Sequence, residues 1–170
     1  TELTSYVFAT QAPKYNDFFP RRINIEKAKR GQQLFLKTCS GCHGKYNKGW
    51  DTEAISYNDQ IATTKVWYHK KTPVIDIGTD PHRYEGMRYF AKDLNRLKIS
   101  KTIGTVVTPQ KGYVPPPLVG IWARWPYFHN NSAPTLYDVI TPDFKRPSSY
   151  IAVASENKKT DFDIVKNGYP

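Results

Sequence analysis

The 170 residues suffice for one domain with a sizeable core. Hydrophobic residues make up 39% of the chain and aromatics 14%, and no run of about 18 apolar residues exists, so a transmembrane helix is excluded. Lysine and arginine number 25 against 15 acidic residues, a formal +10. That balance suits an acidic partner or an anionic surface; nucleic acid is not expected, because the chain carries no recognition motif for it.

Residues 1–22 read as an N-terminal extension, in which Pro13 and Pro20 break any helix. Residues 24–38 are predicted to form a helix. Asn24 can cap it, and Ile25, Ala28, Phe35 and Leu36 make one apolar face at helical spacing. Gly31 lowers helix stability, so another backbone is expected to approach it closely.

Residues 39–43 read Cys39-Ser40-Gly41-Cys42-His43. This is the signature of covalent c-type haem attachment. Two thiols at this spacing can each add to one vinyl group of haem, and the adjacent imidazole is held where a ring nitrogen can bind the iron. A structural zinc site needs about four donors, and no second pair of ligands is present. A thioredoxin-like pair belongs after a strand in a βαβ unit, whereas a helix is predicted here. The motif uses both cysteines of the chain, so one haem c held by Cys39 and Cys42, with His43 on the iron, is the working premise.

Residues 44–79 read mostly as loop with short strands, a long insertion of the kind that wraps a cofactor. Asp80 and Pro81 then open a helix that runs to about Leu97. Thr102–Val107 suits a short strand. Tyr113–Leu118, with three prolines, should be extended, and Ser132–Ile140 should open another short helix. Beyond Pro142 the chain is polar. No internal repeat is present.

The second axial position of the iron decides between electron transfer and chemistry on oxygen or peroxide. Met87, the single methionine, shares a face of the predicted helix with Tyr84, Phe90, Ala91, Leu94 and Leu97. It is a candidate distal ligand or a core side chain. His69 is expected exposed in a polar loop, His82 solvated or paired with Asp80, and His129 within an aromatic cluster, the best rival. Arg83, Arg88 and Arg124 could pair with haem propionates.

The steps Gly31, Phe35, Cys39 resemble the first helix of class I cytochromes c, which implies that Phe35 packs against the haem. The segment from Tyr113 to Asp138, with Leu118-Val119-Gly120-Ile121-Trp122, Pro126-Tyr127-Phe128-His129-Asn130-Asn131 and Ser132-Ala133-Pro134-Thr135-Leu136, resembles a block of the bacterial di-haem cytochrome c peroxidase superfamily. That superfamily includes the haem rubber oxygenases. Ile77-Gly78-Thr79-Asp80-Pro81 and Arg146-Pro147 resemble the rubber-oxygenase branch. The resemblance covers roughly residues 24 to 150 and implies that Trp122 and Tyr127 bind the cofactor and that His129 is near the haem without being its ligand. The chain departs from the family in carrying one haem motif instead of two. It also has Asn131 where the family has glycine, and no methionine follows the block.

The expected fold is therefore mainly α: a cytochrome c-like helical domain around one covalent haem, with long loops and little strand. Its expected division is an extension at 1–22, a cytochrome domain at 23–150 and a polar tail at 151–170 packed on it. The expected function is single-electron transfer with an acidic redox partner, in the periplasm or otherwise outside the cytoplasm, alone or as part of a larger complex or polypeptide. The alternative is a peroxidase-type enzyme, or its haem subunit, with an open distal position. The absence of an initiator methionine and of a signal peptide implies a mature, processed or excised chain.

Overall fold

The computed structural model describes residues 2–53 and 56–170; Ala54 and Ile55, in the segment expected as loop, lie outside the described residues, as does Thr1. In chain order the elements are α1 (Glu2–Ala9), α2 (Tyr15–Phe18), α3 (Ile25–Thr38), α4 (Ser40–His43), β1 (Lys45–Lys48), α5 (Tyr57–Ile61), β2 (Thr63–Trp67), α6 (His82–Arg96), α7 (Lys98–Ile103) and α8 (Leu136–Val139). Single 3-10 turns lie at Gly49–Asp51, Ile121–Ala123 and Asp143–Lys145.

This corrects the mainly α expectation. Only 41% of the chain is helical, and among the described helices just α3 and α6 exceed eight residues. The physical reason lies in the punctuation: 13 prolines and 10 glycines interrupt the chain before most helices reach three turns. Much of the remainder is held by turns and isolated bridges. The chain divides into two compact units, residues 26–117 and residues 1–25 with 118–170.

In the unit of residues 26–117, α3 begins and ends close to its predicted bounds, and Ala28, Phe35 and Cys39 are half-buried along one side. The close approach expected at Gly31 is absent: a Cβ there would meet nothing within 4 Å. Strands β1 and β2 pair antiparallel, Lys45 opposite Trp67 and Tyr46 opposite Val66. The helix expected after Asp80 is α6. Asp80 accepts the backbone N–H of His82 at 3.0 Å, which satisfies one of the helix's orphan donors. Thr102–Val107 is not a strand. α7 runs to Ile103, Gly104 closes it in the left-handed region at φ 66°, and Asn95 ties Val107 back to α6 through both its N–H and its carbonyl, at 2.7 and 2.9 Å.

In the unit of residues 1–25 and 118–170, the prolines expected to break any helix lie outside α1 and α2, which form around them. The core here is aromatic. Trp122 packs against Tyr15, Phe18 and Phe19, and Phe162 stacks on Phe19 at 5.0 Å and meets Trp125 at 4.9 Å. The backbone bridges are Tyr127 with Ala133, Thr135 with Gly168, and Asp163 with Gly168. Helix α8 is capped by Thr135, whose hydroxyl accepts the N–H of Asp138 at 3.1 Å. Arg146 donates to the carbonyls of Asp138 and Thr141, both at 2.9 Å, and its guanidinium lies 5.1 Å from the Phe128 ring.

Candidate functional site

Helix α3 delivers the motif. Its last turn continues into Cys39, whose N–H donates to the Phe35 carbonyl at 2.8 Å, and the N–H groups of Cys42 and His43 both return to the Cys39 carbonyl at 3.1 and 3.0 Å. Cys39-Ser40-Gly41-Cys42-His43 is thus one tight helical turn. The buried hydroxyl of Ser40 donates to the Leu36 carbonyl at 2.7 Å and locks that turn to α3. Both thiols are free and half-buried.

The imidazole of His43 has one nitrogen committed. Its Nδ1 lies 3.2 Å from the carbonyl oxygen of Pro116. A carbonyl can only accept, so this bond requires a proton on Nδ1, and in the neutral imidazole the lone pair is then on Nε2. Pro116 suits this role because it sits in a Pro115-Pro116-Pro117 run. An extended polyproline segment makes no internal hydrogen bonds, so its carbonyls stay available.

Two tyrosines and a second histidine surround the turn. The Tyr46 hydroxyl donates to the His43 carbonyl at 2.9 Å, and the Tyr46 ring meets Phe35 edge-on at 5.9 Å. Tyr68 donates to the Pro115 carbonyl in a short contact, and burial pushes its hydroxyl pKa up. His69 Nε2 lies 3.0 Å from the Cys42 carbonyl. The chain leaves the motif through Gly44, at φ 80°, where a Cβ would stand 2.5 Å from the Trp67 carbonyl oxygen. A left-handed glycine is required because the end of β2 crosses directly over it.

The arrangement fits a c-type haem. Two free thiols and an imidazole hydrogen-bonded through Nδ1 lie within five residues, which is the donor set that covalent attachment and proximal ligation need. Among the described residues no three His, Cys, Asp or Glu side chains converge as metal donors, so the site has no second donor cluster.

The other sequence-expected residues are distributed. Phe35 is half-buried beside the motif. Met87 is half-buried in the middle of α6, and Arg83 and Arg88 are exposed on the same helix. His82 is exposed and paired with Asp80, whose hydrogen bond holds its pKa above the ordinary value. Trp122, Arg124, Tyr127 and His129 belong to the other unit. There the Trp122 indole donates to the Pro13 carbonyl at 2.8 Å. The buried Tyr127 hydroxyl donates to the Ile121 carbonyl at 3.1 Å and accepts from Asn167 at 3.2 Å, and burial pushes its pKa up to about 12. Arg124 is exposed and His129 half-buried.

His69 is the correction at the site. It was expected in an exposed loop, yet it is half-buried and bonded to the motif. The missed signal is the hairpin: with Lys45 opposite Trp67, extending the register brings His69 opposite His43. Tyr46, Tyr68 and Pro116 were also unanticipated. For Pro116 a signal was present, since a triple proline offers carbonyls without competing N–H groups.

No helix among the described residues is long and apolar enough to cross a membrane. In comparison with known proteins, the chain is 29% identical over 178 residues to an uncharacterised protein, y4iM, of Sinorhizobium fredii (strain NBRC 101917 / NGR234). That alignment covers 89% of this chain and 35% of the relative, so the chain spans about a third of the length of the curated relative it matches. No solved structure matches. Residues 112–151 match the family described as RoxA-like, cytochrome c-like, and this match supports a resemblance to the haem rubber oxygenase superfamily.

Proposed function

We propose that the chain is a mono-haem c-type cytochrome unit that carries single electrons to or from a redox partner. Cys39 and Cys42 would hold the haem covalently, His43 would be its proximal ligand and Met87 the distal one. The observation that supports this most is the His43–Pro116 hydrogen bond beside two free thiols. It presents the neutral tautomer that a ligating imidazole needs, and a hydrogen bond on the far nitrogen raises the ligand's basicity. When bound, haem c supplies an iron that takes up and releases one electron. The chain's own part is to hold the imidazole in one tautomer and to anchor the thiols on a rigid turn. Arg83 would compensate a propionate.

Residues 26–117 carry 16 lysines and arginines against 8 aspartates and glutamates. This supports an acidic redox partner steered by long-range attraction. A periplasmic or other extracytoplasmic location follows from covalent haem attachment. The chain would work as part of a larger complex or polypeptide, as its span of the Sinorhizobium relative suggests.

The second reading is a peroxidase-type enzyme or its haem subunit with an open distal position. The resemblance of residues 113–138 to a block of the peroxidase superfamily supports it, and the RoxA-like match over residues 112–151 is compatible with either reading. Optical spectra of the ferric and ferrous protein, with and without carbon monoxide, before and after Met87→Ala, separate the two. A low-spin ferrous form indifferent to carbon monoxide, with a weak red-end ferric band lost in the variant, supports electron transfer. Rapid carbon monoxide binding by the unmutated protein, with turnover of peroxide, supports the enzyme.

A further inference from the structure

The hairpin that follows the motif returns to it. Strand β1 starts two residues after His43, and β2 ends immediately before Tyr68 and His69. The register Lys45 opposite Trp67 therefore brings this dipeptide back alongside the motif. Each member then makes one hydrogen bond on a different side of His43. His69 Nε2 meets the Cys42 carbonyl at 3.0 Å, the peptide oxygen immediately before His43. Tyr68 donates to the Pro115 carbonyl, one residue before the Pro116 oxygen that receives His43 Nδ1.

The two bonds act on the two ends of one interaction. The Cys42 carbonyl lies at the end of a four-residue helix, where it has no helical partner, and His69 satisfies it. Because a carbonyl only accepts, His69 must carry its proton on Nε2, so its role here is that of a donor. The Pro115 carbonyl lies on a segment without N–H groups to fix it, and the Tyr68 hydroxyl supplies the tie. The rings of Tyr68 and His69 meet edge-on at 5.3 Å, so the two donors brace each other. Gly44 lets Trp67 and Tyr68 approach this closely.

We propose that Tyr68 and His69 form a two-pronged clamp that sets the orientation of the His43 imidazole: His69 holds the backbone that carries it, and Tyr68 holds the proline segment that receives its Nδ1–H. Both are positioning residues, and the proposal rests on the reading of His43 as the proximal ligand of a covalent haem. A clamp of this kind tunes the ligand through its hydrogen bond, so its loss reaches the iron without removing any ligand.

The test uses the full holo-chain and the variants His69→Phe, His69→Gln and Tyr68→Phe. The readouts are covalent haem content on a denaturing gel, midpoint potential, spin state and the rate at which added imidazole or cyanide replaces an axial ligand. His69→Phe is expected to keep covalent haem, displace the midpoint potential and speed ligand replacement by about 10-fold, within the range for loss of an outer-shell partner. His69→Gln, which restores an N–H donor, should return both toward the parent. Tyr68→Phe removes one oxygen atom and should shift both in the same direction as His69→Phe, by less. It also serves if His69→Phe fails to mature. Variants that keep haem, potential and exchange rate unchanged overturn the clamp while leaving the haem reading intact. A change of spin state in His69→Phe that His69→Gln does not reverse makes His69 an iron ligand and overturns it as well. A parent chain without covalent haem defeats the underlying reading instead.

Discussion

His43 Nδ1 and the carbonyl oxygen of Pro116 stand 3.2 Å apart although 73 residues separate them in the chain. The bond joins the Cys39–His43 turn to the start of the segment that matches the cytochrome c-like family. It also decides which nitrogen of His43 keeps a lone pair.

If the thiols are the attachment points, they should be separable. Cys39→Ser or Cys42→Ser should each leave one thioether and a haem-stained band of reduced yield on a denaturing gel. The double variant should leave none. Intact mass checks the count, with one haem on the parent chain.

Gly44→Ala should destabilise the unit of residues 26–117 by about 2–4 kcal/mol. The left-handed backbone at φ 80° costs an L-residue about 1–2 kcal/mol, and the new Cβ would stand 2.5 Å from the Trp67 carbonyl. Urea unfolding of the two proteins measures the difference. Gly31→Ala should instead be neutral or slightly stabilising, because a Cβ there meets nothing within 4 Å and alanine favours the helix.

Tyr127 predicts an alkaline limit. Its hydroxyl pKa rises on folding from the ordinary value near 10 to about 12. The unfolded chain therefore loses this proton first. The contribution to stability is full below about pH 10 and is lost as pH rises to about 12. Tyr127→Phe should abolish that part of the pH dependence. It should also cost about 1 kcal/mol at neutral pH for the lost bond to Ile121. Thermal melts at a series of alkaline pH values check both.

The charge of residues 26–117 predicts salt sensitivity. Reduction of the holo-protein by an anionic reagent should slow as ionic strength rises, and reduction by a cationic reagent should quicken. Stopped-flow rates across a salt series measure it; equal slopes for the two reagents would remove the case for an acidic partner.

What the sequence determined was local. The turn of Cys39, Cys42 and His43 is legible because its residues are adjacent in the chain, and α3 and α6 because their apolar spacing acts within a few turns. Asn131 read in the sequence only as a departure from the glycine of the resembled family; the structure places it at φ 59°, in the left-handed region, a backbone demand that asparagine meets as glycine does. What only the tertiary structure decided was pairing at a distance. His69 looked like a solvated loop residue until the β1–β2 register carried it to Cys42, and the open space at Gly31 contradicts the approach its position suggested. The mainly α expectation failed for the same reason. Periodicity reports amphipathic helices, whereas single bridges such as Thr135 with Gly168 depend on chain segments about 30 residues apart and leave no local pattern. The tautomer of His43 rests on such a contact, since a backbone carbonyl 73 residues away carries no sequence mark of its partner.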